Sequence, residues 1–241
     1  MEVMSNMREQ IKFYSDLYKH YFKNKFSQQI PYNQKLQSNI PKILHFCWFG
    51  GNPYPDLMKK CIASWEEFLP EYELKLWNED SFPIETYRFT KEAYENKKYA
   101  FVSDFVRLHA LYNEGGIYMD TDVEIIKPLD VFLHHGVFSG YESDHLISTG
   151  LMGAKKQHPW IALLLNWYDN RHFQKYDATT ANTRIISKIT ALNYGVKLNG
   201  QYFILKDDVH MYPANYFCPR ETLTENSYCI HHFAGSWKSI K

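Results

Sequence analysis

The sequence predicts a mostly parallel α/β sheet covered by helices on both faces. Two observations carry this. Short apolar runs rich in β-branched and aromatic residues alternate with amphipathic stretches of helical period through the first half of the chain, the order seen in parallel-sheet proteins. Hydrophobic residues make up 45% of the 241 positions, enough to fill one core. No internal repeat, low-complexity tract or linker interrupts the pattern.

Each element follows in order. Residues 1 to 28 read as one amphipathic helix, with Met7, Ile11, Tyr14, Tyr18, Tyr21 and Phe22 on one face and Arg8, Lys12, Lys19 and Lys23 on the next. Such a helix packs on its own domain with solvated lysines, the reading preferred here, or lies on an anionic membrane surface. Residues 1–39 are thus expected to form a helical N-terminal extension, and 40–241 one α/β domain. In "IPKILHFCWFGGNPYP", Ile43 to Phe49 is a buried strand, and Gly50, Gly51, Pro53 and Pro55 form a loop. "DLMKKCIASWEEFLP" is a helix closed by Pro70, and "ELKLW", Glu73 to Trp77, a second strand. Residues 78 to 98 are polar, with a short helix from Thr90.

"AFVSDFVRLHALYNEGG" is a helix, because Val102, Phe105, Leu108 and Leu111 recur at three-residue steps and Gly115 is a natural stop. "IYM" is a strand. Val137 to Ser139 and Leu146 to Ala154 read as further strands, Pro159 to Trp167 and Ala181 to Leu192 as helices. The tail, "YCIHHFAGSW", is a short strand running into a loop.

Composition excludes some functions. Lys plus Arg equals Asp plus Glu at 27 each, so no global field draws nucleic acid. Cys47, Cys61, Cys218 and Cys229 lack zinc-ligand or C-x-x-C spacing and are expected to be free thiols of a reducing cytosol. The first thirty residues lack a secretory signal, and no apolar run approaches the ~20 residues that span a bilayer. A cytoplasmic protein is expected, at most peripheral on the inner membrane face.

The chemistry sits in "GGIYMDTDVEI", residues 115 to 125. Residues two apart on a strand share a face, so Asp120 and Asp122 aim both carboxylates at one point. Two like charges that close raise one pKa or need a cation, and a hard ion such as Mg²⁺ or Mn²⁺ is the simplest partner. Ligands of open α/β sheets bind at the carboxyl ends of strands, where this pair lies. Asp104 and Arg107, three apart on the preceding helix, share a face and can act together.

The run "YAFVSDFVRLHALYNEGGIYMDTDVEIIKPLD" resembles the signature block of the D-x-D sugar transferases, the family of the yeast outer-chain mannosyltransferase, bacterial capsule and lipopolysaccharide transferases and, distantly, the clostridial glucosylating toxins. "IPKILHFCWFGG" is similar to their first strand and "IHHFAGSW" to their C-terminal motif. The resemblance implies a GT-A fold and retaining, Mn²⁺- or Mg²⁺-dependent transfer of a hexose from a nucleotide-diphosphate sugar, a UDP-sugar by family precedent, to a glycan or glycolipid acceptor. It implies that Trp48 stacks on the donor base and that Ser103, Asp104 and Arg107 hold the sugar and phosphate. It also implies that Asp120 reaches the ribose, sugar or metal, that Asp122 ligates the metal with His231 or His232, and that Ser236 and Trp237 close over the diphosphate. Glu142 and Asp144 are acceptor-side candidates. The implied setting is bacterial surface-polysaccharide synthesis. A protein-glycosylating effector, a sugar-nucleotide binding module without turnover, and a phosphoesterase are the alternatives; the last would want two metals and more ligands than the sequence offers.

Overall fold

A computed structural model of the chain describes residues 40–174, 181–219 and 222–235. The expected N-terminal helix and extension over residues 1–39, and Ser236 and Trp237, lie outside the described residues.

The chain builds β1 (Ile43–Cys47), α1 (Asp56–Phe68), β2 (Glu73–Trp77), α2 (Arg88–Glu95), α3 (Tyr99–Asn113), β3 (Gly116–Met119) and β4 (Val123–Ile125). It continues with β5 (Val137–Ser143), β6 (Leu146–Ala154), α4 (Pro159–Leu165), α5 (Asn182–Tyr194), β7 (Phe203–Leu205), β8 (Val209–Tyr212), α6 (Ala214–Phe217) and β9 (Cys229–His231). A seven-stranded sheet has the order β2-β1-β3-β6-β5-β8-β7, and β4 pairs with β9 in a separate two-stranded ribbon. β1, β2, β3, β5 and β8 run one way, β6 and β7 the other, which is the mostly parallel mixed sheet that the sequence predicts. The carboxyl ends of β1 and β3, adjacent and parallel, therefore share one edge.

Apolar residues bury both faces. On one, Val102, Phe105 and Leu108 of α3, Trp160 of α4 and Ile186 of α5 join a single cluster against the sheet. On the other, Met58, Cys61 and Trp65 of α1 pack with Val123, Ile125, Phe132 and Phe217. The spacing of Met58, Cys61 and Trp65 puts them on one helical face, as an amphipathic stripe requires. Polar atoms of that stripe reach further: Trp65 Nε1 donates to Val123 O at 2.8 Å, and Ser64 Oγ accepts from Ile125 N at 2.9 Å. α1 thus holds β4, the strand that follows the D-x-D triplet.

A buried imidazole fixes the start of β3. His45 donates from Nε2 to Gly115 O at 2.7 Å, while its Nδ1 accepts from Trp77 Nε1 at 3.1 Å. Gly115 and Gly116 take φ of 75° and 106°, where a side chain is strained. A Cβ on Gly116 would stand 2.6 Å from Ile43 O, so only glycine lets α3 end this sharply against β1.

Among the described residues the expected elements are present, with shifts at their ends. β1 stops at Cys47 rather than Phe49, α5 runs on to the left-handed Gly195, and β5 extends to Ser143 through register irregularities at Tyr141. Residues 196–217, where the sequence pattern shows no element, supply β7, β8 and α6. All four cysteines are free and buried. No helix among the described residues is long and apolar enough to cross a membrane.

His158 predicts a pH dependence of stability. It caps α4: Nδ1 accepts from Trp160 N at 3.1 Å, and Nε2 donates to Asp207 O at 2.6 Å. Burial pushes its pKa down to about 4, against the opposing hydrogen bond to Asp207. Protonating Nδ1 would also destroy the cap. The folded pKa lies below the unfolded value of about 6.5, so the contribution is whole above pH 6.5 and drains away as pH falls toward 4, about 2 kcal/mol by pH 5. Denaturant melts at pH 7 and pH 5 should show wild type losing that much more stability than His158→Asn, which retains a capping oxygen. Equal losses in the two proteins would contradict the assignment.

Candidate active site

At the carboxyl end of β3 the backbone turns rather than running on. Val123 N donates to Asp120 O at 3.0 Å, closing a tight turn over the triplet, and Asp120 N donates to Gly150 O of β6 at 2.8 Å. Asp120 and Asp122 therefore converge through a turn, not along an extended strand. The ribbon brings in a third group: Val123 of β4 pairs with His231 of β9. One ligand atom each from Asp120, Asp122 and His231 falls within 4.8 Å of the others. Room for an ion between them depends on Gly150, where a Cβ would stand 3.0 Å from His231 Cε1 and 3.2 Å from Asp120 Oδ2.

Charges on either side organise this group. Arg107, 4% exposed, bonds from one terminal nitrogen to Asp104 Oδ1 at 2.7 Å and from the other lies 3.2 Å from Asp120 Oδ1. It also donates to Thr149 O, and its guanidinium lies 4.6 Å from the centre of the Tyr118 ring. Tyr118 donates to the same Asp120 Oδ1 at 3.0 Å. With Oδ1 engaged twice, Asp120 Oδ2 is the oxygen that faces Gly150 and His231. Burial raises the Asp104 carboxyl to about 6, with Asp120 adding to the rise and Arg107 opposing it.

The other carboxylate is coupled to the histidine. Asp122 Oδ1 lies 3.3 Å from His231 Nε2, and Oδ2 accepts from Ala234 N at 2.8 Å. Burial alone would raise Asp122, but the His231 hydrogen bond and charge and the Ala234 N–H bring it below the usual value. His231 moves the opposite way: burial would lower it, yet hydrogen bonds to Asp122 and Cys218 and the Asp122 and Asp120 charges raise it to about 10. A proton on Nε2 thus stands where a cation would. Two carboxylates and one imidazole form a mostly hard donor set suited to Mn²⁺ or Mg²⁺, with other positions left for water and phosphate oxygens. The residues fit such an ion.

The remaining predicted residues fall as follows. Trp48 is half-buried just past the end of β1, on the sheet edge shared with Asp120, edge-on to Tyr54 at 5.7 Å. Its Nε1 donates to Asn52 O. Ser103 is bonded to Tyr99 O, one position before Asp104 on α3. His232 points away from the group: Nε2 lies 2.9 Å from Glu124, which also pairs with Lys60. His232 follows the last residue of β9 and takes the opposite side from His231, as successive residues of an extended chain do. Glu142 and Asp144 sit at the β5–β6 end, with β6 between them and β3.

The sequence reading missed Tyr118, Thr149, Gly150 and Cys218. Only Tyr118 carried a local signal, being two residues before Asp120 and so on its face. The others arrive from β6 and from the residue that follows α6, remote in sequence.

Residues 55–139 match the family described as "Glycosyltransferase sugar-binding region containing DXD motif". Inositol phosphoceramide mannosyltransferase 3 of Schizosaccharomyces pombe is 34% identical over 138 residues, covering 54% of this chain and 38% of its own. Mannosyl phosphorylinositol ceramide synthase SUR1 of Saccharomyces cerevisiae is 28% identical over 141 residues, 57% of this chain and 36% of its own. The chain thus spans well under half the length of these fungal relatives. The uncharacterized glycosyltransferase L373 of Acanthamoeba polyphaga mimivirus is 26% identical over 219 residues, 82% of this chain and 84% of its own. Among solved structures, PaToxG glycosyltransferase superposes with a TM-score of 0.53 at 14% identity, over 80% of this chain and 79% of that one, and shares the GT-A-type fold. The matched region, residues 55–139, is similar to the sugar-binding region of the D-x-D sugar-transferase family and contains Asp104, Arg107, Asp120 and Asp122.

Proposed function

We propose that the protein is a metal-dependent glycosyltransferase that moves a hexose from a nucleotide-diphosphate sugar to a glycan or glycolipid acceptor. The observation that supports this best is the convergence of Asp120, Asp122 and His231 beside the buried Arg107–Asp104 pair. A cation there would be Mn²⁺ or Mg²⁺ and, when bound, would offset the charge that grows on a departing diphosphate. The chain's own groups supply the rest. Asp120, oriented through Oδ1 by Tyr118 and Arg107, and Asp122, oriented by Ala234 N–H, hold their carboxylates in place before any ligand arrives, so little reorganisation is needed. Arg107 adds a fixed positive charge in a buried setting, where it counts for more than in water. Asp104 hydrogen-bonds hydroxyls of the donor sugar, Ser103 assists, and Trp48 stacks on the base at the same sheet edge. Ser236 and Trp237, outside the described residues, would cover the diphosphate by the resemblance alone.

The finer features rest on the resemblance. A retained anomeric configuration, a uridine base and a role in bacterial capsule or lipopolysaccharide synthesis, in the cytoplasm at the inner membrane face, follow from it; membrane contact through residues 1–28 rests instead on their basic and aromatic faces. The two fungal relatives are named for joining mannose to an inositol phosphoceramide, so mannose belongs among the hexoses tested and a lipid-linked acceptor among the acceptors. Glu142 and Asp144 are the acceptor-side groups to test.

Three measurements check this. Incubation of the protein with Mn²⁺ and each common nucleotide sugar should release nucleoside diphosphate from one donor and not the others; release from none, with a range of acceptors present, would overturn the proposal. Asp122→Asn should lower that turnover on the order of 100-fold or more, with an unchanged circular dichroism spectrum. Wild-type rates in the variant, or in excess chelator, would contradict the role of the site. Gly150→Ala should weaken Mn²⁺ binding through crowding of His231 and Asp120, with a thermal midpoint close to wild type. Unaltered affinity would show that the ion lies elsewhere.

A further inference from the structure

Behind the candidate metal ligands lies a buried thiol that neither the sequence pattern nor the proposed reaction uses. Cys218 is 0% exposed, and its Sγ lies 3.5 Å from His231 Nδ1, the ring nitrogen remote from Asp122. The contact ends a regular series that locks α6 to the segment entering β9. Ser227 Oγ donates to Asn215 O at 2.8 Å, Tyr228 N to Tyr216 O at 2.8 Å, and Cys229 Sγ to Phe217 O at 3.0 Å. One residue further along the first segment and two along the second, Cys218 meets His231. Cys218 is itself held by its backbone, whose N donates to Ala214 O at 2.7 Å, and by its neighbour Phe217, which is buried in the core. Its sulfur is therefore placed by the fold and not by the histidine.

His231 is consequently gripped on three sides. Cys218 faces Nδ1, Asp122 faces Nε2, and the Phe233 ring stacks on its face at 4.1 Å and 23°. A neutral imidazole carries one N–H and one lone pair, so the tautomer decides which nitrogen can take a cation. Histidines that bind metals generally donate their other N–H to an acceptor, which sets tautomer and ring orientation.

Building on the metal site proposed above, we infer that Cys218 is a positioning residue for it: its sulfur accepts the Nδ1–H of His231 and so fixes the tautomer that presents the Nε2 lone pair toward Asp120 and Asp122. Cys218 touches neither donor nor acceptor; it acts through the imidazole. The converse arrangement, a thiol S–H donated to Nδ1, would leave a proton on Nε2, in the path of the ion.

The test compares wild type, Cys218→Ser and Cys218→Val in the full chain, with Mn²⁺ affinity read from the paramagnetic resonance signal of the free ion. Val approximates the volume of Cys and lacks an acceptor, whereas Ser keeps one. Val should weaken Mn²⁺ binding by about 10-fold and Ser by no more than about threefold. Equal affinity in wild type and Val, or equal weakening in Val and Ser, overturns the positioning role while leaving the metal site standing. Wild-type protein that binds no Mn²⁺ overturns both. Should Cys218→Val not fold, nitrogen-15 NMR of Mg²⁺-loaded wild type gives the answer: His231 protonated at Nδ1 with Nε2 unprotonated supports the inference, and protonation at Nε2 overturns it.

Discussion

The site depends on one electrostatic constraint: carboxylates that converge in a partly buried place must be compensated. Asp104, Asp120 and Asp122 bring three negative charges to the end of β3, and the protein answers them on two sides, with Arg107 and with His231. Arg107 remains charged under all conditions and settles the Asp104–Asp120 side. His231 behaves differently. Its proton can leave, so the charge facing Asp122 is exchangeable for that of a cation. A permanent compensation on one side and an exchangeable one on the other would suit the metal–diphosphate binding proposed for this site.

The fold delivers that arrangement through three anchors. His45 ties β1 to the glycine turn that ends α3, which sets where β3 begins. Trp65 and Ser64 of α1 tie β4 to the opposite face of the sheet, which sets where the triplet ends. β9 then pairs with β4 and brings the C-terminal segment back over the triplet, where Asp122 receives N–H groups from His232 through its carbonyl and from Ala234 through its carboxylate. Residues from α3, β3, β6 and the C-terminal loop thus meet at one edge, as open α/β sheets place their ligand sites. Tyr118, Thr149 and Gly150 belong to the same construction: the first two hold Asp120 and Arg107, and the third keeps the space empty.

Much of this was readable from the residues because the signals are local. The three-residue steps of Val102, Phe105, Leu108 and Leu111 mark α3, Gly115 marks its end, and Asp104 with Arg107 falls on one face of it by helical geometry alone. The convergence of Asp120 and Asp122 was also readable, although the structure achieves it by a turn where extended alternation was expected. What was not readable is non-local. Whether His231 or His232 joins the aspartates depends on the register of β9 against β4, two segments roughly a hundred residues apart in sequence, and spacing from a distant motif does not encode register. β7 and β8 are too short to show a period, and Cys218 acquires meaning only once α6 is docked against β9.

The central claim is that one divalent cation sits between Asp120, Asp122 and His231 and grips the diphosphate of an activated sugar. A crystal of the protein grown with Mn²⁺ and uridine or guanosine diphosphate, with diffraction collected at the manganese absorption edge, tests it directly. A single anomalous peak within coordination distance of those three side chains and of two phosphate oxygens is the predicted result. Ordered nucleotide with no anomalous peak there, or a peak ligated by other residues, would contradict the account.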